Sequence, residues 1–126
     1  MLLVVGGAYQ GKLAYALSRL AVNEDSIYHC TTESTQIPQN KLIIYNLHLW
    51  ILALIQAEKN VGWEVQNLLN NSSHRIVICD DISGGVVPLE ATERLWREEV
   101  GRSLILLAAH ADEVVRLFCG IPTQLK

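Results

Sequence analysis

The chain is poor in basic residues: 10 Lys and Arg stand against 13 Asp and Glu, a formal charge of −3. Proteins that grip nucleic acid broadly gather cations on one face, so this balance argues against a nucleic-acid partner. Low-complexity and charge-run segments are missing while half of the residues are apolar, so a compact soluble fold is expected. Cysteine is scarce, and Cys30, Cys79 and Cys119 show no metal-ligand spacing. Each sits in an apolar segment, which reads as buried free thiols in a reducing compartment. No basic stretch precedes the first apolar run, which ends at Gly6, so it does not read as a signal peptide. The most apolar helix-like run, Leu47–Ala57, is about half of the roughly 20 residues that span a bilayer. A single cytoplasmic domain over residues 1–126, without a membrane partner, is the expectation.

What the chain does carry is a glycine turn between a strand and a helix. Leu2–Val5 reads as a strand, and Leu13, Ala16, Leu17, Leu20 and Ala21 recur at helical spacing. Between them lies Gly6-Gly7-Ala8-Tyr9-Gln10-Gly11-Lys12-Leu13. Strand, glycine turn, Lys and helix is the layout of a phosphate-binding loop. There, backbone N–H groups and a helix N-terminus surround a phosphate and the Lys reaches its outer oxygens. The pattern G-x-x-x-x-G-K-[S/T] is met except at its last position, where Leu13 replaces the hydroxyl residue that ligates Mg²⁺. Gly6, Gly7, Ala8, Tyr9, Gln10, Gly11, Lys12 and Leu13 are therefore the candidate cradle for GTP, ATP or another phosphorylated molecule, with Mg²⁺ doubtful. The plain structural alternative is a glycine-rich turn with a surface Lys. Tyr9 would either stack on a base, cap the loop or cover the site.

Four further strand-like runs follow: Ser26–Thr31, Lys41–Asn46, Arg75–Cys79 and Glu113–Cys119. Helical segments lie between them: one from Leu47 with Trp50, Ile51, Leu54 and Ile55 on a stripe, one around Trp63–Leu69, and one from Pro88 to about His110. Asn70-Asn71-Ser72-Ser73 reads as a turn. Continuous apolar strands alternating with helices predict an α/β fold: a mostly parallel sheet of about five strands with helices on both faces, in a three-layer arrangement like that of P-loop NTPases. The glycine turn then lies at the carboxyl ends of the strands, where open α/β sheets bind ligands.

Asp80 and Asp81 end a buried strand. A carboxylate there can orient water around a metal or take a proton from a substrate hydroxyl, and equally it can cap the turn before Gly84-Gly85. Gly84 and Gly85 suggest a close backbone approach to substrate. His29 reads as a satisfied buried histidine, whereas His74 and His110 read as surface or helix-end residues. Trp50, Trp63 and Trp96 read as core or interface. Arg94, Arg97 and Arg102 lie among Glu93, Glu98 and Glu99, as on a solvated helix face.

A longer stretch narrows the reading. Val77-Ile78-Cys79-Asp80-Asp81-Ile82-Ser83-Gly84-Gly85-Val86-Val87-Pro88 is followed by Arg94-Leu95-Trp96-Arg97 and Val100-Gly101-Arg102. Leu107-Ala108-Ala109, Ala111-Asp112-Glu113-Val114, Gly120-Ile121-Pro122 and Leu125-Lys126 complete the series. With the N-terminal glycine loop and Leu47-His48-Leu49-Trp50, this order resembles the adenosylcobinamide kinase / adenosylcobinamide-phosphate guanylyltransferase family of cobalamin biosynthesis. The resemblance implies a P-loop protein that phosphorylates the cobinamide side-chain hydroxyl and then transfers GMP through a guanylylated histidine. It also implies a homo-oligomer, since family members associate through helices.

The departures from the family pattern bear on both activities. Tyr9, Gln10 and Leu13 stand where the family loop has Arg, Ser and Ser. Tyr45-Asn46-Leu47-His48 stand where it has an acidic residue followed by Cys-Leu-Thr, which puts His48 at the Thr position near the phosphate. Asp81 matches the family's acidic position at the end of the fourth strand. The segment that carries the guanylylated His has shrunk to Glu33–Asn40, without His or Arg. The resemblance thus points to Lys12 and Asp81 as catalytic residues of any surviving kinase, and to His48, Asp80, Gly84 and Gly85 as substrate contacts. Guanylyl transfer is expected to be absent and kinase activity weak or lost. The alternatives are a non-catalytic P-loop module that regulates or scaffolds a partner, and a kinase for another small alcohol with its metal on Asp80 or Asp81. Lys12→Ala is expected to weaken phosphate binding while leaving folding nearly intact.

Overall fold

A computed structural model describes residues 1–71, 74–82 and 90–126. The strands are β1 Leu2–Gly6, β2 Ile27–His29, β3 Ile43–Tyr45, β4 Ile76–Asp80, β5 Glu113–Phe118 and β6 Ile121–Gln124. The helices are α1 Lys12–Arg19, α2 Leu47–Gln56, α3 Val61–Asn71 and α4 Ala91–His110. One sheet holds the strands in the order β2-β3-β4-β1-β5-β6. Every pairing from β2 to β5 is parallel, and β6 alone runs antiparallel.

The central strands are apolar on consecutive residues because both faces of the sheet are covered. Leu3, Val77, Cys79 and Val114 join a core with α2, α3 and α4. Leu2, Val4, Ile76, Ile78, Val115 and Leu117 join a second core that includes Ala16 of α1. The apolar stripe of α2 is buried at Leu47, Trp50, Ile51 and Leu54, as its spacing predicts. This three-layer α/β arrangement puts the ends of β1, β3 and β4 side by side and sets α1 directly over them.

Several expectations are corrected. A sixth strand is present: Phe118 pairs with Ile121 across the two-residue turn Cys119-Gly120, whose φ values are 52 and 73. Positive φ at both central residues suits a hairpin whose twist matches its strands, and Gly120 adopts it without cost. Proline is a poor strand residue in general. Pro122, however, sits opposite Leu117, next to the bonded pair that closes the hairpin, so its missing N–H falls on the open edge of the sheet.

Cys119 is exposed at the hairpin tip, whereas Cys30 and Cys79 are buried thiols. Burial pushes the Cys30 thiol up to about 12, and that of Cys79 rises for the same reason. His29 is exposed rather than buried, with Nε2 2.7 Å from Glu24 Oε1. His74, expected at the surface, is 5% exposed. Trp63 is largely exposed, while Trp50 is buried and Trp96 half-buried. Arg102 pairs with Glu98 and Glu99 on the solvated side of α4. No described helix is long and apolar enough to cross a membrane. Pro88, the glycines Gly84 and Gly85, and the Ser72-Ser73 half of the turn after α3 lie outside the described residues.

Candidate functional site

The β1–α1 turn owes its shape to three backbone features. At Gly6 a Cβ would come within 2.5 Å of the Leu117 carbonyl oxygen, so only glycine lets β1 leave the sheet this close to β5. Tyr9 and Gly11 have φ values of 58 and 89. Positive φ at alternate positions turns successive N–H groups toward a common concavity. Among the described residues, the N–H groups from Ala8 to Ala14 take no backbone hydrogen bond. Lys12, Leu13 and Ala14 form the first turn of α1, whose amides have no partner within the helix. Gln10 ties the loop to the β5–β6 hairpin: its side-chain Oε1 accepts from Cys119 N at 2.5 Å and its carbonyl accepts from Gly120 N at 3.1 Å.

Lys12 is not a surface residue. A side chain at the start of a helix leans back over the preceding turn, and this one is 5% exposed. Its Nζ donates to the Gly7 carbonyl oxygen at 2.6 Å and lies 2.7 Å from Asp80 Oδ1. Asp80 is the last residue of β4 and stands in register with Gly6 of β1.

On the other side of Asp80 is His48, 6% exposed in the first turn of α2. The Asp80 backbone N–H donates to His48 Nδ1 at 3.2 Å, so Nε2 carries the ring proton, 3.5 Å from Asp80 Oδ2. The His48 carbonyl accepts from Trp96 Nε1 at 2.7 Å, which fastens α4 to this corner. The His48 pKa is lowered, first by burial and also by the Lys12 charge, against the opposing pull of Asp80. Neutral His48 leaves Lys12 and Asp80 as a self-cancelling ion pair.

These groups surround a cavity of about 330 Å³. Ala8, Tyr9, Gln10, Gly11, Lys12 and Leu13 line one side, with Ala14; Tyr45, Asn46, His48 and Asp80 line the other. Gly6 and Gly7 instead border a separate cavity together with Asp81 and Arg116. Of the two carboxylates at the end of β4, Asp80 meets Lys12, whereas Asp81, whose N–H donates to the Gly6 carbonyl at 2.9 Å, borders that second cavity. Tyr9 is fully exposed and neither caps nor covers the cavity. Asn46 holds a left-handed backbone, φ 63, that starts α2 at the cavity wall; Asn tolerates this conformation better than most residues, the one local hint in the sequence. Trp96 and the Gln10–Cys119 tie had no such hint, because both join residues far apart in the chain.

A strand, a glycine turn and a Lys-led helix at the carboxyl edge of a mostly parallel sheet define the class: a three-layer α/β protein with its cavity at the strand ends. The model of the cobinamide kinase / cobinamide phosphate guanyltransferase family matches residues 33–125, and the chain belongs to that family. The matched stretch includes His48, Asp80 and Trp96 but begins after the glycine loop. None of the curated proteins matches the chain.

Proposed function

We propose that this chain is a divergent homologue of the cobinamide kinase / guanylyltransferase that binds the phosphate of a nucleotide, GTP or ATP, or of a phosphorylated small molecule at its glycine loop. Guanylyl transfer is lost, and kinase activity is weak or lost. The observation that carries this reading is the Lys12–Asp80 ion pair, 2.7 Å long, inside the cavity formed by the loop. An entering phosphate competes with Asp80 for the ammonium, while the loop and first-turn N–H groups add attraction that needs no metal.

The residues at the loop do not suit Mg²⁺. Leu13 offers no oxygen, and Asp80 Oδ1 is already engaged by Lys12. Phosphoryl transfer is largely positioning and charge neutralisation, so a site that holds its metal poorly transfers slowly. Glu33–Asn40 supplies no His for a covalent guanylyl intermediate. Should any transfer survive, Asp80, beside Lys12, is the better placed proton acceptor, since Asp81 borders the other cavity.

Titration of GTP and ATP by calorimetry, with and without Mg²⁺, tests the reading. Weak binding that Mg²⁺ leaves nearly unchanged is expected. Tightening by a hundredfold, about 2.7 kcal/mol, would overturn the metal argument. After incubation with GTP and Mg²⁺, the denatured protein should show the unmodified mass; a GMP adduct on any His would show that transfer persists.

One observation favours a second reading, a non-catalytic module that scaffolds a partner. The Lys12 ammonium is already held by both Gly7 and Asp80. If GTP, ATP and inorganic phosphate all leave the protein unaffected, this second reading stands instead.

A further inference from the structure

The glycine loop holds a shape that its own residues disfavour. Its N–H groups converge on one concavity, where their dipoles repel one another unless an anion is present. Tyr9 sits at φ 58, a left-handed backbone that costs free energy for a residue with a Cβ. The Tyr9 side chain is fully exposed, so its packing does not hold the turn. The restraint comes from the next residue. Gln10 takes both N–H groups of the hairpin turn: Cys119 N–H goes to its side-chain Oε1 at 2.5 Å, and Gly120 N–H to its carbonyl at 3.1 Å.

The hairpin is well suited to this. A two-residue turn leaves the N–H groups of its central residues outside the strand ladder, free for another acceptor. The sheet fixes the turn in place, because β5 pairs with β1 through Leu117 opposite Gly6 and with β6 through Phe118 opposite Ile121. Loop and turn also approach closely: a Cβ at Gly11 would lie 3.5 Å from Gly120 Cα. The half-buried Gln10 side chain runs back beside the loop, where a Cβ at Gly7 would lie 3.8 Å from its Cγ. An amide suits the position, since it accepts an N–H without bringing negative charge to a site for an anion.

We propose that Gln10 is a positioning residue: through the β5–β6 turn it holds the glycine loop in its open, anion-ready shape before any ligand arrives. The inference rests on the reading that this loop binds phosphate. A loop ordered in advance binds more tightly because less ordering is left to be done on binding. Linkage makes the coupling mutual, so phosphate on the loop also steadies the hairpin turn.

The test compares the full-length parent, Gln10→Met and Gln10→Glu by ¹⁵N NMR, free and titrated with inorganic phosphate. Met keeps the length of the side chain without its acceptor, and Glu keeps the acceptor. In the free parent the Cys119 amide should exchange with solvent at least roughly tenfold more slowly than in an open chain. Gln10→Met should erase that protection and lower the order parameters of the Tyr9, Gly11 and Lys12 amides. Gln10→Glu should restore both; its added charge opposes phosphate in any case, so this variant is read on the amides alone. Phosphate affinity should fall roughly three- to tenfold in Gln10→Met. An unprotected Cys119 amide in the parent, or a loop equally ordered in Gln10→Met, overturns the inference. So does phosphate affinity that is equal in the parent and Gln10→Met. Absence of phosphate binding in the parent would instead overturn the reading of the loop as a phosphate site, and the amides would then decide by themselves whether Gln10 fixes its shape.

Discussion

His48 and His74 are buried to nearly the same degree, 6% and 5% exposed, yet their surroundings differ. His48 belongs to a cluster in which Lys12 and Asp80 satisfy each other and the ring accepts from the Asp80 N–H. His74 has one nitrogen engaged and the other without a partner among the described residues. At the strand ends, a ligand must displace an existing interaction and gains only the difference. The unpartnered His74 nitrogen is shut off from solvent, so nothing outside reaches it in the fold as it stands. Burial alone therefore says little about readiness to bind; what matters is whether the buried groups already answer one another and whether a ligand can reach them.

The largest expected effect comes from breaking the self-satisfied cluster. Asp80→Ala leaves the Lys12 ammonium buried without a counter-charge, which should cost about 3 kcal/mol in denaturant unfolding. Millimolar inorganic phosphate should then raise the melting temperature more in the variant than in the parent, because an anion can take the place of the lost carboxylate. Unchanged stability would mean that the pair holds nothing together. Equal phosphate effects in the two proteins would show that Asp80 is no competitor.

Lys12→Ala comes next. Loss of a charge-assisted contact should weaken phosphate or nucleotide binding by ~1.5–3 kcal/mol, roughly ten- to a hundredfold. The expectation that folding would stay nearly intact took the Lys side chain to project freely into the ligand space. Because Lys12 is 5% exposed and paired with Asp80, its removal should also cost ~1–3 kcal/mol of stability. Unaltered affinity would remove the glycine loop as a binding site.

Acidification sharpens the comparison in smaller steps. The folded pKa of His48 lies below its unfolded value of about 6.5. The unfolded chain therefore takes up the proton first, and stability from this group is full above about pH 6.5 and is lost as pH falls through the folded pKa. Melting temperatures between pH 7.5 and 5 should fall less steeply in His48→Asn, whose amide oxygen can still accept the Asp80 N–H. Parallel slopes would assign the pH dependence elsewhere. The carboxylates of Asp112 and Glu113, both lowered by their cationic partners, titrate only at more acid pH.

The smallest effect is expected on α3, away from the strand ends. Asn67 is exposed, so Asn67→Leu should leave unfolding free energy within about 0.5 kcal/mol of the parent. A much larger loss would mean that this face of α3 is structural.

Much of the architecture is legible along the chain. Consecutive apolar residues in Leu2–Val5 and Arg75–Cys79 announce strands covered on both faces, and the stripe from Leu47 to Ile55 announces α2, because burial imposes a period on sequence. The glycine turn and its Lys are equally visible, since the backbone path at Gly6 and Gly11 tolerates few other residues. The β6 strand was not visible, because Pro122 is a poor strand residue except where its missing N–H faces an open edge. His29 and His74 differ from expectation for a related reason: a strand residue's exposure depends on its neighbours in the sheet, and His74 is covered where it meets the Lys41 carbonyl, distant in sequence. The residue order by itself thus determined the elements and the loop that could hold a phosphate. Only the tertiary structure decided that Asp80 meets Lys12, that His48 closes the cluster and that His74 Nε2 has no partner among the described residues, because each is set by where side chains distant in sequence point once the strands lie in register.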